Sequence, residues 1–123
     1  MKTIVLLFMT LFLTAGTVTA QTSKELVGKW QLVKWTHNNK EKDIKDYFKT
    51  DQVYQIFMED GKFDSRIGEE LHHGKWSLSK DNKELVIKNA LIPVKFQIDY
   101  FTAEKRIMTY SQLGSFEYKK ITE

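Results

Sequence analysis

From Leu26 onward the chain is interrupted by turn signals at short intervals, and the runs between them are rich in Val, Ile, Phe, Tyr and Thr. That cadence is the spacing of an all-β meander with no long crossover. Eight strands are expected. The first spans about 26–37 and ends at the turn pair Asn38-Asn39. The second and third, about 52–59 and 62–67, flank Asp60-Gly61, where glycine accepts a positive φ at no steric cost. Gly68-Glu69-Glu70 turns into a fourth strand, about 71–79, and Asp81-Asn82-Lys83 into a fifth, 84–89. Pro93 falls in the next connection, where its missing N–H harms no ladder. The sixth strand, 94–101, alternates Val94, Phe96, Ile98 and Tyr100 against Lys95, Gln97 and Asp99, the pattern of a half-buried strand with one wet face. Ala103-Glu104-Lys105 and Gly114 introduce the last two, 106–112 and 115–122.

One segment reads differently. In Asp43 to Thr50, Ile44, Tyr47 and Phe48 fall at i, i+3 and i+4, one face of a short helix that Asp43 is placed to cap. Eight residues do not hold a helix alone in water, so that face must rest on the rest of the protein. Its place between the first two strands lets it lie across one mouth of a barrel, either as a packed surface turn or as a lid.

Sequential antiparallel strands are best satisfied by closing the sheet, which removes exposed edges. The sequence therefore predicts a single eight-stranded antiparallel up-and-down barrel with one short helix between strands one and two. Such barrels are just wide enough to be filled by side chains or to hold one small ligand. The expected inward set, Trp30, Phe63, Trp76, Phe96, Tyr100, Phe116 and Tyr118, occupies much of the interior and leaves a small or shallow cavity. Register at Asp60-Gly61 decides part of that set. A two-residue turn pairs Glu59 with Lys62 and sends Tyr54, Ile56 and Met58 inward with Phe63 and Ile67. A bulged three-residue turn sends Val53 and Phe57 inward instead. The first option gathers more apolar residues and is the expected one. The predicted ligand cavity is accordingly Tyr54, Ile56, Phe63, Ile67, Phe96, Ile98, Tyr100, Met108 and Tyr118, with Ile44, Tyr47 and Phe48 as its lid.

Ahead of the strands stands an address. Lys2, the apolar run Ile4 to Leu13 and the small residues ending Val18-Thr19-Ala20 form the three-part pattern of a secretory signal peptide, with cleavage expected before Gln21. The apolar run is short for a bilayer span and the residues after it are polar, so no transmembrane segment is expected. Residues 21–123 are then the mature domain, large enough for one modest core. With Lys2 gone, 18 basic and 16 acidic residues remain, interleaved, for a net of +2. No basic stripe points to nucleic acid. The chain has no cysteine, so the fold relies on no disulfide and no acylated cysteine anchors it. A soluble product in the periplasm or outside the cell is expected.

A phrase occurs twice: Gly28-Lys29-Trp30-Gln31-Leu32 and Gly74-Lys75-Trp76-Ser77-Leu78. In extended chain Trp and Leu, two apart, share a face while Lys points away, so Gly28, Trp30, Gly74 and Trp76 are taken as structural core. These segments, with the continuation Ser79-Lys80-Asp81-Asn82 and the ending Phe116-Glu117-Tyr118-Lys119-Lys120-Ile121, resemble the small secreted lipocalin-like domains of bacteria along essentially the whole mature chain. The resemblance implies an up-and-down barrel, Trp30 at its closed end, and carriage of a small apolar molecule. The chain departs from larger lipocalins in being shorter and without disulfides. The late-strand arginine that covers their tryptophan has no clear match: the arginines are Arg66 and Arg106, and the last strand carries Lys119 and Lys120.

Catalytic chemistry finds little footing. The histidines are His37, His72 and His73, and neighbours in a strand face opposite sides, so the adjacent pair does not readily share an ion. Asp64, Glu69 and Glu70 read as solvated charge near a turn. Thr109 and Ser111 alternate on the seventh strand and offer hydroxyls to a ligand, to a neighbouring strand or to water. No nucleophile elbow, phosphate loop or dinucleotide fingerprint is present. No enzyme, cofactor or metal is expected. Two functions remain, a small-molecule binding barrel and a protein-interaction or inhibitor module. The second would act through its loops or outer wall, where Val33, Trp35 and Phe57 or their neighbours would form an apolar patch.

Overall fold

The computed structural model describes residues 24–89 and 92–122. The leader and its processing point before Gln21 lie outside the described residues. After a helical turn at 24–26 the elements run β1 (Gly28–His37), β2 (Lys40–Lys42), α1 (Ile44–Phe48), β3 (Val53–Phe57), β4 (Lys62–Ile67), β5 (Glu70–Leu78), β6 (Glu84–Asn89), β7 (Ile92–Phe101), β8 (Lys105–Tyr110) and β9 (Gly114–Ile121). Eight strands, β1 and β3 to β9, pair antiparallel in chain order, and pairing of β1 with β9 closes them into a barrel. β2 is a short addition, joined to β1 by Asn38-Asn39 with both residues at positive φ, as a two-residue hairpin of matching twist requires. Pro93 lies inside β7, opposite Lys88, rather than in the preceding connection.

The Asp60-Gly61 turn takes the three-residue form, which overturns the expected register. Met58 N donates to Lys62 O and Gly61 N to Met58 O, while Gly61 alone adopts a positive φ of 86°. A two-residue turn of that type needs positive φ at Asp60 as well. Phe57 therefore faces Phe63, and Val53, Gln55 and Phe57 turn inward. Tyr54 and Ile56 go to the outer face, where the Lys29 ammonium sits 4.4 Å from the Tyr54 ring.

Two bulges change which residues face inward. In β1 the extra residue Val33, between Leu32 opposite Tyr118 and Lys34 opposite Glu117, lets Trp30, Leu32 and Trp35 all face inward. In β7 the extra residue Asp99 has the same effect: Ile98 faces in, Tyr100 turns out to 48% exposure, and Phe101 joins the core.

At the end of the barrel where β1 starts, packing is tight. Trp30 and Leu26 are fully buried, and Trp30 Nε1 donates to Leu26 O. Phe57 lies 5.0 Å from Phe63 and 5.6 Å from Trp76, whose Nε1 donates to Met58 O; Phe101 lies 6.0 Å from Trp30. Burial of these rings is the main stabilising term for a domain that has no disulfide.

Candidate functional site

Arg106, fully buried on β8, faces into this ring cluster. Its guanidinium carbon lies 5.0 Å from Trp30, 4.9 Å from Phe57 and 4.4 Å from Tyr118, and Nη2 donates to Gln55 Oε1 at 2.6 Å. Among the described residues no carboxylate pairs with it, and Nε has no hydrogen-bond partner. Burial lowers its pKa to about 10, against a smaller opposing effect of Tyr118; burial raises Tyr118 to about 12, against a smaller opposing effect of Arg106. Arg106 is thus charged at neutral pH and held by aromatic faces. An arginine does cover the tryptophan, then, but from β8 rather than the last strand. Lys120 of β9 is a second cation over Trp30, at 5.4 Å, and donates to Glu25 O. The signal for Arg106 was its spacing: Arg106, Met108 and Tyr110 share one face of β8.

This end of the barrel is filled. The candidate site lies at the other, where α1 rests. Asp43 caps α1 by accepting from Asp46 N, and Lys49 ends it in the left-handed conformation, so the helix is shorter than the 43–50 expected. Its face meets Trp35: Tyr47 lies 4.8 Å from that ring, edge-on, and Phe48 6.1 Å. From Trp35 the rings continue inward. Phe116 stacks on Trp35 at 5.8 Å, Phe96 meets Phe116 at 6.4 Å, and Tyr110 meets Phe96 at 5.7 Å. Trp35 Nε1 donates to Leu113 O and is thereby fixed to the β8–β9 turn. Trp35 and Phe116 are buried, while Ile44, Phe48, Ile67, Phe96 and Tyr110 are only partly covered. Tyr47 is 62% exposed.

Beside α1 a groove of about 600 Å³ opens in the wall. β1 pairs with β3 only through Gln31 and with β2 only from Trp35, so the chain between them has no strand neighbour on that side. Its lining is mixed: Leu32, Val33 and Ile44 are apolar, and Gln31, Glu41, Lys42, Asp43, Lys45 and Asp51 are polar or charged.

Of the residues expected to line a cavity, Phe63, Met108 and Tyr118 are buried on the inner face, and Ile67, Phe96 and Ile98 are partly buried against the core. Tyr54, Ile56 and Tyr100 do not belong there, for the register and bulge reasons above. Nor do Trp35 and Phe57 form an outer patch: both are buried, and only Val33 of that trio is exposed. His72 lies opposite Ser65 on the inner side of β5, 3.7 Å from Glu70; His73 faces outward to Asp64. Thr109 bonds Asp99 and Ser115, and Ser111 sits exposed in the β8–β9 turn. Gln55, Trp35 and Arg106 were not anticipated as parts of the interior.

Two crystal structures share this architecture. One is a lipocalin-like protein from Bacteroides uniformis, 18% identical, with a TM-score of 0.62 over 79% of this chain and 99% of that one. The barrel is lipocalin-like. The other is an uncharacterized protein from Bacteroides eggerthii, 16% identical, with a TM-score of 0.63 over 77% of this chain and 98% of that one. No family model matches the sequence, and no curated protein is significantly similar to it. Among the described residues no helix is long and apolar enough to cross a membrane, and no three His, Cys, Asp or Glu side chains come together as a metal site.

Proposed function

We propose that the protein is exported and binds a small, largely apolar molecule at the α1 end of its barrel, acting by binding rather than catalysis. The observation that carries this reading is the run of contacting rings Tyr110, Phe96, Phe116, Trp35 and Phe48. It leads from the interior to a half-covered helix beside a groove in which Leu32, Val33 and Ile44 stand among polar and charged residues. Partly buried rings supply contact area with little loss of conformational freedom, and a filled lower barrel limits the ligand to a small body. Ile44 and Phe48 are the movable edge of this site. The purified protein is titrated with the uncharged fluorescent probe N-phenyl-1-naphthylamine, reading probe and Trp emission. Saturable binding at one site is expected, and Tyr47→Ala with Phe48→Ala should change exchange rates more than global stability. Absence of saturable binding removes the reading.

One observation favours a protein-interaction module instead: Val33, Tyr47 and Leu113, all on the α1 side of the barrel, are exposed apolar residues. Blocking of the probe by no small molecule, together with tight binding of a partner lost in Tyr47→Ser with Leu113→Ser, would select it. Export is checked by intact mass, with mature protein beginning at Gln21 expected outside the cytoplasmic membrane.

A further inference from the structure

The outer wall of β4, β5 and β6 carries a feature that binding at the α1 end does not use. Lys62 stands directly opposite Lys75, and Lys75 directly opposite Lys88. Like charges so placed repel and cost the sheet stability. Lys62 is relieved by Asp60 at 3.6 Å, but among the described residues Lys75 and Lys88 have no acid at ion-pair distance. A second opposed pair, Lys105 and Lys119 of β8 and β9, is relieved: Glu117 lies 3.7 Å from Lys105.

His73 shares the outward face with Lys75, two residues on. Its Nδ1 lies 2.6 Å from Oδ1 of Asp64, the residue opposite on β4. A carboxylate partner at Nδ1 fixes the ring and leaves Nε2 free for another group. His73, Lys75 and Lys88 line, with Gly74, a groove of about 330 Å³. A Cβ at Gly74 would stand 2.6 Å from both Lys88 O and Asn89 Oδ1, so β5 and β6 approach here as only glycine permits.

We propose that this groove binds an oxyanion of the phosphate or sulfate class, held between Lys75 and Lys88, with the Nε2–H of His73 in its imidazolium form donating a third contact. Two lysines are compact point charges suited to a multiply charged, rounded anion. The planar fork that favours a carboxylate is an arginine property, and no arginine lines the groove. Occupancy would cancel the repulsion that the empty wall carries, so anion binding and stability are linked.

The test follows Lys75, Lys88 and His73 resonances of the purified protein during titration with inorganic phosphate and, separately, with acetate. A parallel arm measures sedimentation with phosphatidylcholine vesicles with and without phosphatidylglycerol. Expected are saturable shifts with phosphate, at least about tenfold weaker response to acetate, and loss of at least about tenfold in phosphate affinity in K75Q/K88Q. The same variant should melt no lower than wild type at low salt, since it removes a repulsion, which separates lost binding from lost folding. K105Q/K119Q should leave phosphate binding within about twofold. Vesicle binding that phosphate competes away and K75Q/K88Q abolishes assigns a lipid headgroup as the source; phosphate binding without vesicle binding assigns the free ion. Equal loss in both lysine variants, equal affinity for acetate, or no saturable response to phosphate or to anionic vesicles overturns the proposal.

Discussion

Replacing Arg106 and Gln55 singly and together tests the account of the filled end of the barrel. The guanidinium is fully buried, and among the described residues Gln55 Oε1 is its one oxygen partner and Nε is unsatisfied. Burial holds its pKa well below the ordinary guanidinium value, at about 10, which corresponds to roughly 3 kcal/mol acting against the charged form. Three ring faces offset this at about 0.5 to 2 kcal/mol each. Gln55→Leu removes a charge-assisted hydrogen bond and leaves the cation with fewer partners, a loss of about 2 to 3 kcal/mol. Arg106→Met removes the charge and its ring contacts and strands the buried Gln55 amide, a loss of about 1 to 3 kcal/mol. The double variant has neither orphan, and its stability should lie within about 1 kcal/mol of wild type, giving a coupling of about 2 kcal/mol or more. Urea denaturation of all four proteins closes the cycle. Additive losses, with coupling under about 0.5 kcal/mol, would refute the view that Gln55 is the polar support of a buried, otherwise unpaired cation.

Trp30→Ala should cost about 3 to 5 kcal/mol in a denaturation midpoint experiment, a large share of a domain this size, whereas His72→Ala, on a half-open strand, should stay within about 0.5 kcal/mol. Gly61→Ala forces an ordinary side chain to a φ of 86° and should destabilise by about 1 kcal/mol; an unchanged midpoint would argue against the bulged turn. In the alkaline range two linkages oppose. Arg106, with its folded pKa depressed to about 10, releases its proton earlier in the native state and adds stability as pH rises above about 10. Tyr118, raised to about 12, ionises first in the unfolded state and removes stability between about 10 and 12. Arg106→Met leaves the Tyr118 loss unopposed, so the variant should lose stability faster than wild type over pH 10 to 12 by roughly 1.4 kcal/mol per pH interval of one. Parallel pH profiles would show that the two groups do not titrate as described.

Local chemistry determined much of this fold. Asn38-Asn39 tolerates two positive φ values and makes its hairpin; Asp43 offers a carboxylate at the right spacing and caps α1; Val94, Phe96 and Ile98 alternate and line an inner face. Each of these preferences acts within a few residues, so it is readable along the chain. Closure into a barrel also followed, because sequential strands without a crossover leave edges that only closure removes.

What tertiary structure decided is where the count of residues slips. Asp60-Gly61 is compatible with either turn, and the choice between them was made by partners far away: Gln55 meets Arg106 and Phe57 covers its guanidinium only in the three-residue register. By apolar count alone Tyr54 and Ile56 were the better inward pair, but Tyr54 packs under Lys29 on the outer wall. Val33 and Asp99 have no local feature that marks them as bulges. They relieve the geometry of a closed sheet, and each flips the inward face of its strand downstream, bringing in Trp35 and Phe101 and turning out Tyr100. Because side chains alternate with a period of two, one extra residue reverses every later assignment on a strand, and that residue is selected by pairing across the barrel rather than by its own identity.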